Sequence, residues 1–233
     1  MTAFPFSVVG FDLDGTLLDT GGDLGVALNH VLVGLGRTPV PLGEVRDLIG
    51  GGAKMLLERG LARTGGMVPA DELPALHAQL IGFYRENIAH HTRPFPGMEA
   101  MLDDLAEREV TVAVVTNKME SLAVHLLDTM GLSARFATII GGDTLGRGRS
   151  KPAPDLLLEM RRRVGAGPCA YVGDTTYDTR AAAAAGIPCV AVSFGFNDEP
   201  VARLGADAVI DHFDELVPTL ARLAPAERFS PAS

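Results

Sequence analysis

The residues with the clearest chemical potential stand in the stretch FDLDGT, where Asp12 and Asp14 follow an apolar run. Two carboxylates this close repel each other, and each loses hydration at the edge of a hydrophobic core. A bound cation would neutralise both charges. The spacing therefore predicts a cation site where the first buried strand ends.

Further polar residues follow the later apolar runs. Thr116 and Asn117 come after VTVAVV, and Asp174 and Asp178 stand in GDTTYD after CAYV. Lys151 lies in SKPAPD, before the helix expected after the third run. Because ligands of open parallel sheets bind at the carboxyl ends of the strands, we expect these side chains to meet at one edge.

This set of groups suits phosphoryl transfer. Carboxylate oxygens are ligands that Mg²⁺ prefers, and Lys151 adds a positive point charge. Thr116 and nearby backbone N–H groups can bind phosphate oxygens. A carboxylate is also a recognised nucleophile, which forms an aspartyl-phosphate. The residue types therefore predict a Mg²⁺-dependent enzyme that acts on a phosphate compound.

The elements that must position these residues alternate along the chain. Five apolar runs and a weaker sixth are separated by segments of helical spacing: SVVGFDLD, VTVAVVTN, ATIIGGD, CAYVGD, PCVAVSFG and DAVID. Continuous apolar character is typical of strands covered on both faces. The alternation predicts an α/β fold, a doubly wound parallel sheet with a Rossmann-like core.

The interval of residues 20–92 breaks the alternation, since it has helical spacing and no convincing strand. Its length is explained more economically by a helical cap domain, inserted after the first strand, than by a connection. We therefore expect a Rossmann-like catalytic core of residues 1–19 and 93–225. Residues 226–233, rich in Pro, Ala and Ser, are expected to form a C-terminal tail.

The composition narrows the class of protein. The chain has 233 residues, 47% hydrophobic and 21% charged, which is ordinary for a globular protein. A net charge of −9 disfavours nucleic acid as a partner. No apolar run reaches the roughly 18 residues of a membrane helix, and no basic region of a signal peptide is found. We expect a cytoplasmic monomer or homodimer with no membrane or nucleic-acid partner, and Cys169 and Cys189 as buried reduced thiols.

Four stretches, FDLDGTLLDT, VVTN, SKPAPD and GDTTYD, resemble in order and spacing the motifs of the haloacid dehalogenase-like phosphohydrolases. The resemblance extends over nearly the whole chain. It implies that Asp12 is the nucleophile and a Mg²⁺ ligand. It also implies that Asp14 protonates the leaving oxygen, then activates water, and gives its backbone carbonyl to the metal. Since an alkoxide leaving group needs an acid, Asp14 indicates phosphate esters rather than haloacids.

The same resemblance assigns the remaining residues. Thr116, with Asn117 beside it, holds the phosphate, and Lys151 stabilises its negative charge. Asp174 ligates Mg²⁺, and Asp178 helps through water or hydrogen bonds. An alternative for Asp178 is that it only caps the helix of DTRAAAAAG.

Two further stretches, DTGGDLGVALN and LIGGGAKMLLERGL, resemble the helical cap of one group in this family, the phosphoglycolate phosphatases. This group implies hydrolysis of 2-phosphoglycolate to glycolate. The chain differs from this group at two places that bear on the choice of substrate. Gly50–Gly52 replaces the usual Gly-Asn-Gly, and Ala153 stands where His is frequent. The mutase branch fits less well, because Gly173 stands where it has Glu and Ala53 stands near its cap arginine.

Substrate recognition is expected from the cap, because the core motifs bind only the phosphoryl group. Gly51 and Gly52 allow backbone N–H groups close to a ligand, and Lys54 lies at the start of the next helix, whose N-terminus favours an anion. We therefore expect this loop to face the active site and to bind the carboxylate of phosphoglycolate, with Lys54 as a weaker contributor. The alternative for Lys54 is a pairing with Glu58 one turn on, with the side chain facing water.

Other functions stay open from the sequence. A related hydrolase would act on a sugar phosphate, a nucleotide or pyrophosphate. A phosphonatase would use Lys54 as a Schiff base. A different class, the receiver-like signalling domain, is also phosphorylated on Asp, but it is shorter and has no cap.

Overall fold

The computed structural model describes residues 4–165 and 167–223. The strands in chain order are β1 (Val8–Phe11), β2 (Leu18–Asp19), β3 (Arg93–Pro94), β4 (Thr111–Val115), β5 (Thr138–Ile140), β6 (Cys169–Gly173), β7 (Cys189–Val192) and β8 (Ala208–Ile210). The helices are α1 (Gly21–Gly34), α2 (Leu42–Val45), α3 (Ala53–Arg63), α4 (Leu73–Glu86), α5 (Met98–Glu107), α6 (Glu120–Thr129), α7 (Asp155–Val164), α8 (Thr176–Ala185) and α9 (Leu216–Arg222).

Six of these strands form one sheet in the order β5-β4-β1-β6-β7-β8, and every neighbouring pair is parallel. This confirms the predicted doubly wound sheet, and each of the six apolar runs contributes one strand. In the central register Phe11 pairs with Val114 on one side and Val172 on the other. These three strands are directly followed by polar residues, which therefore lie at the same edge of the sheet, where the strands end: Asp12, Thr116 and Asp174.

Both faces of the sheet are covered, which explains the continuous apolar runs. Along β1, Val9 and Phe11 belong to one hydrophobic cluster and Val8 to another. Gly10 lies against α7, where a Cβ would come 2.5 Å from the sulfur of Met160. A side chain at this position would therefore force the Met160 side chain to move.

The helices α1 to α4 occupy the interval in which helices were expected. The segment PLGEVRDLIG contains only the short α2 and a 3-10 turn at Arg46–Leu48. A two-stranded antiparallel pair, which the sequence did not predict, closes the interval: Leu18 pairs with Pro94 and Asp19 with Arg93. The division into core and cap domains stays a prediction.

Three further expectations concern thiols, membranes and the tail. Cys169 and Cys189 are buried and free, as predicted. Within residues 4–165 and 167–223, we find no helix with the length and hydropathy that crossing a bilayer requires. The predicted tail of residues 226–233 lies outside the described residues.

Candidate active site

Asp12 lies directly after β1, close to a buried lysine. Its Oδ1 accepts a hydrogen bond from the backbone N–H of Leu13 at 2.7 Å and is 3.0 Å from the Nζ of Lys151. Burial raises the pKa of Asp12 to about 6, and the Lys151 charge limits the rise. Asp12 also lines the cavity described below.

Lys151 is buried, and acceptors surround its ammonium group. Besides Asp12, Nζ donates to Asp178 Oδ1 at 2.6 Å, to the Tyr171 hydroxyl at 2.8 Å and to the carbonyl of Val115 at 3.1 Å. Burial disfavours the charge, but the two carboxylates raise the pKa of Lys151 above its ordinary value. Lys151 is therefore a fixed positive charge beside Asp12.

Asp174 is fully buried at the end of β6, where two groups fix its carboxylate. The Thr16 hydroxyl donates to Oδ1 at 3.2 Å, and the backbone N–H of Phe196 donates to Oδ2 at 2.7 Å. Gly15 approaches so closely that a Cβ there would lie 2.2 Å from Oδ2, and its φ is +85°. Burial and the neighbouring carboxylates raise the pKa of Asp174 well above its usual range.

Three of the predicted metal ligands meet. Asp12, Asp174 and Asp178 each offer an oxygen, and these atoms all lie within 4.8 Å of one another. The side chain of Asp14 is not in this group, and the family motif implies a metal contact only for its backbone carbonyl. Hard oxygen donors of this kind suit a divalent cation, which would also favour the ionised forms of Asp12 and Asp174.

Asp178 caps the helix, one of the two roles left open by the sequence, and it also contacts Lys151. The helix begins at Thr176, so Thr175 is the N-cap, and Asp178 is the third helical residue of a capping box. Its Oδ2 accepts from the hydroxyl and N–H of Thr175, while Oδ1 accepts from Lys151. Burial opposes ionisation, but Lys151 and these hydrogen bonds hold the pKa of Asp178 below its ordinary value.

Asp14 is paired with a residue that the sequence analysis did not select. Nζ of Lys118 lies 2.9 and 3.1 Å from the two oxygens of Asp14. The same ammonium stands 4.4 Å from the ring centroid of Tyr84, which belongs to α4. Burial raises the pKa of Tyr84 to about 12, so its hydroxyl stays protonated. Lys118 thus bridges the sheet edge and the helices above it.

Thr116 and Asn117 lie between these two lysines. Thr116 is buried, and its hydroxyl oxygen accepts a hydrogen bond from the N–H of Lys118 at 3.2 Å. Asn117 donates through Nδ2 to the carbonyl of Lys151 at 2.9 Å, and so fixes the loop that carries this lysine. Among the described residues, the buried Oδ1 of Asn117 has no hydrogen-bond partner.

A cavity of about 220 Å³ connects these groups with the helices α3 and α4. The predicted residues that line it are Asp12, Asp14, Gly51, Gly52, Lys54, Thr116, Asn117 and Asp174. Lys151 and Asp178 lie beneath this surface. Much of the remaining lining is apolar, from residues such as Leu24, Ile49, Leu80 and Ile81.

The glycine loop predicted to face the site does line this cavity. Gly51 and Gly52 have φ values of +79° and +93°, a region that favours glycine. A Cβ at Gly52 would lie 3.3 Å from the carbonyl of Asn117, so the loop closely approaches the sheet edge. Lys54 lies at the rim with its side chain 69% exposed, and its Nζ is 3.7 Å from Glu58.

Comparison with known proteins agrees with this geometry. Residues 9–192 match the family model described as haloacid dehalogenase-like hydrolase. Two phosphoglycolate phosphatases are similar in sequence: that of Agrobacterium fabrum, 38% identical with 94% of this chain and 95% of the relative covered, and that of Caulobacter vibrioides, 40% identical with 89% and 87% covered.

A solved structure extends the similarity to the whole fold. The crystal structure of a predicted phosphoglycolate phosphatase from Haemophilus somnus superposes with a TM-score of 0.84 at 28% identity, covering 92% of this chain and 97% of that one. The sheet, the matched motifs and these relatives lead to one conclusion. The chain belongs to the haloacid dehalogenase-like hydrolases and is a phosphoric monoester hydrolase.

Proposed function

We propose that this phosphatase is Mg²⁺-dependent and hydrolyses 2-phosphoglycolate to glycolate through an aspartyl-phosphate. The observation that carries the proposal is the position of Asp12, whose carboxylate is held by the buried ammonium of Lys151 and lines the cavity. A carboxylate at the boundary between a fixed charge and a ligand cavity is suited to nucleophilic attack.

In this proposal Asp12 attacks the phosphorus atom and the ester oxygen leaves. Thr116 and backbone N–H groups after β4 bind phosphoryl oxygens, and Lys151 stabilises the negative charge of the transition state. Because several acceptors already fix Lys151, little reorganisation is needed during the reaction. Asn117 contributes by holding the Lys151 loop and by facing the cavity.

Asp14 is proposed to act as acid and then as base. It gives a proton to the leaving alkoxide, then takes a proton from the water that attacks the phosphorylated Asp12. Its place beside Asp12 at the cavity surface supports this role. A general acid or base at this position contributes about 10²–10⁴ to the rate.

The residues present fit Mg²⁺. We propose that Asp12 and Asp174 hold the ion with their carboxylates, and that Asp14 holds it with its backbone carbonyl. When bound, Mg²⁺ offsets the repulsion between the carboxylates and the phosphoryl oxygens. The oxygens of Asp178 already accept bonds from Lys151 and Thr175, which favours an indirect role for this residue.

The choice of 2-phosphoglycolate has two supports. The relatives named above are phosphoglycolate phosphatases, and a cavity of about 220 Å³ suits a small ester. We propose that N–H groups of Gly51 and Gly52 contact the substrate beyond its phosphoryl group. For Lys54, its exposure and its pairing with Glu58 favour a surface role over substrate contact. We also expect a cytoplasmic monomer or homodimer.

The test is phosphate release from 2-phosphoglycolate, sugar phosphates, nucleotides and pyrophosphate, measured as kcat/KM with Mg²⁺. Phosphoglycolate should give the highest value. A higher value for another compound would assign that compound instead. Steady turnover without a partner kinase would also exclude a receiver-like signalling role, because such a domain is phosphorylated once per signal.

A further inference from the structure

We propose that Lys118 binds the second anionic group of the substrate. A carboxylate on the carbon next to the ester oxygen displaces Asp14 from Lys118, and this displacement frees Asp14 for proton transfer. The inference rests on the proposed function and narrows its substrates to phosphate esters with an adjacent carboxylate.

The pair of Lys118 and Asp14 has one fixed and one more accessible member. Lys118 is only 8% exposed, and its N–H is bound to Thr116 while its ammonium packs on the ring of Tyr84. The Asp14 side chain is 17% exposed and borders the cavity. Asp14 is therefore the partner that can turn away, while Lys118 stays in place.

The observed pair is incompatible with acid catalysis as it stands. Both oxygens of Asp14 lie within 3.1 Å of the Lys118 ammonium, so this contact occupies both of them and neither is free to meet an ester oxygen. It must leave Lys118 before it can protonate an alkoxide. Leaving without replacement would strand a buried ammonium, which is costly. A substrate anion that takes the place of Asp14 removes this cost.

Distances along the substrate fit the exchange. In phosphoglycolate a single methylene separates the carboxylate from the ester oxygen. In the observed pair the ammonium of Lys118 lies 2.9 Å from Oδ1 of Asp14, the proposed acid, and both residues line the cavity. The substrate carboxylate therefore lies within reach of Nζ of Lys118.

The other cations near the cavity are less suited to bind this carboxylate. The sequence contains three lysines: Lys54 is at the exposed rim beside Glu58, and Lys151 is engaged with Asp12 beneath the cavity surface. His77 also lines the cavity, but burial and the nearby Lys54 lower its pKa, so it is neutral near pH 7. Lys118 combines a charge with burial beside the proposed acid.

The proton balance closes over one turnover. Asp14 takes one proton from solvent when it is first displaced. It gives this proton to the ester oxygen as the P–O bond breaks and Asp12 becomes phosphorylated. It then recovers a proton from the attacking water, which releases inorganic phosphate from Asp12. When the products leave, Asp14 returns this proton to solvent and pairs with Lys118 again, so the next cycle starts from the observed pair.

The experiment compares phosphoglycolate with ethyl phosphate, which has the same two-carbon length and no carboxylate. We expect the wild type to favour phosphoglycolate by about 10² or more in kcat/KM, the size of a buried charged contact. Lys118→Met should reduce this ratio to within about threefold, through loss on phosphoglycolate. Lys118→Arg, which keeps the positive charge, should retain part of the wild-type ratio. Arg85→Met, which removes an exposed charge from the same helix as Tyr84, should keep the wild-type ratio.

A binding measurement separates recognition from turnover. In an Asp12→Asn background, calorimetry should show phosphoglycolate binding that weakens by about 10² when Lys118→Met is added, while inorganic phosphate binding changes little. A wild-type ratio in Lys118→Met, or an equal loss on both esters, would overturn this inference and leave the proposed function standing. If the wild type releases phosphate from no ester, the proposed function fails together with the inference.

Discussion

Lys151 and Asp178 form an ion pair that solvent does not reach: Nζ lies 2.6 Å from Oδ1, and the two side chains are 1% and 0% exposed. The pair joins the loop before α7 to the first turn of α8. It also sets the ammonium against Asp12. A buried pair of this kind costs desolvation, so its value lies in the fixed position that it gives to the charge.

Removing that ammonium should destabilise the fold. Lys151→Met leaves the carboxylates of Asp178 and Asp12 without their cation, and we expect the free energy of unfolding to fall by about 3–5 kcal/mol. Urea denaturation measures the change. The matched control is Lys54→Met, which removes an exposed surface pair and should change stability by less than about 1 kcal/mol. Similar effects of the two substitutions would contradict the structural role of Lys151.

The proposed nucleophile can be tested by trapping. Wild-type protein quenched in acid during turnover should carry one phosphoryl group that hydroxylamine removes, as an acyl phosphate does. Asp12→Asn should carry none and show no turnover, because the amide is a poor nucleophile. Intact-mass spectrometry reads both states. A phosphorylated Asp12→Asn protein would place the nucleophile elsewhere.

Asp14→Asn should slow turnover without removing the nucleophile. We expect kcat for phosphoglycolate to fall by about 10²–10⁴, because the amide cannot transfer a proton. With 4-nitrophenyl phosphate, whose leaving group needs little protonation, a first-turnover burst should remain visible by stopped flow. Loss of the burst together with turnover would mean that Asp14 acts before proton transfer.

Chelation should abolish activity, and Mg²⁺ should restore it. Ca²⁺ is expected to be a poor substitute because its looser coordination would misplace Asp12. Mg²⁺ should also raise the thermal midpoint, by an amount that corresponds to about 2.7 kcal/mol at one hundred times its Kd. Asp174→Asn should remove most of that shift. Full activity after exhaustive chelation would exclude the metal-dependent mechanism.

The glycine loop gives a prediction for substrate recognition. Gly51→Val places a side chain where a Cβ would lie 2.9 Å from the sulfur of Met55 and 3.0 Å from the Tyr177 hydroxyl. We expect the KM for phosphoglycolate to rise far more than the KM for 4-nitrophenyl phosphate. A thermal melt of the variant checks that the fold survives. Equal effects on both substrates would place recognition outside this loop.

The sheet and the residues at its edge could be predicted because both depend on local pattern. Buried parallel strands give continuous apolar runs, and their register brings Asp12, Thr116 and Asp174 to one edge whatever the loops do. The same rule could have found the pair of Lys118 with Asp14, because each residue follows one of two neighbouring parallel strands. The contact of Lys118 with Tyr84 had no such pattern, since it follows from the packing of α4 over the sheet edge, a tertiary contact without a sequence period.

The helix cap at Asp178 and the short strands β2 and β3 show a second limit of prediction from the sequence. Asp178 could be taken for a helix cap or for a member of the site, because both roles use the same carboxylate. In the structure Oδ2 accepts from Thr175 at the cap, and Oδ1 accepts from Lys151. The pairing of Leu18 with Pro94 involves two residues on each side, too few for an alternating pattern to develop. Spatial neighbours of this kind become visible only when the chain is folded.

The antiparallel pair of β2 and β3 has a consequence for protein engineering. Because Leu18 faces Pro94 and Asp19 faces Arg93, the helical segment leaves and re-enters the sheet region through adjacent points. Its two ends are already joined by backbone pairing, so exchanging everything between them costs little loop-closure entropy. We expect the segment between Thr20 and Thr92 to behave as an exchangeable cassette. Grafting it between relatives would transfer the contacts of the glycine loop, while Lys118 and the residues of phosphoryl transfer stay with the recipient.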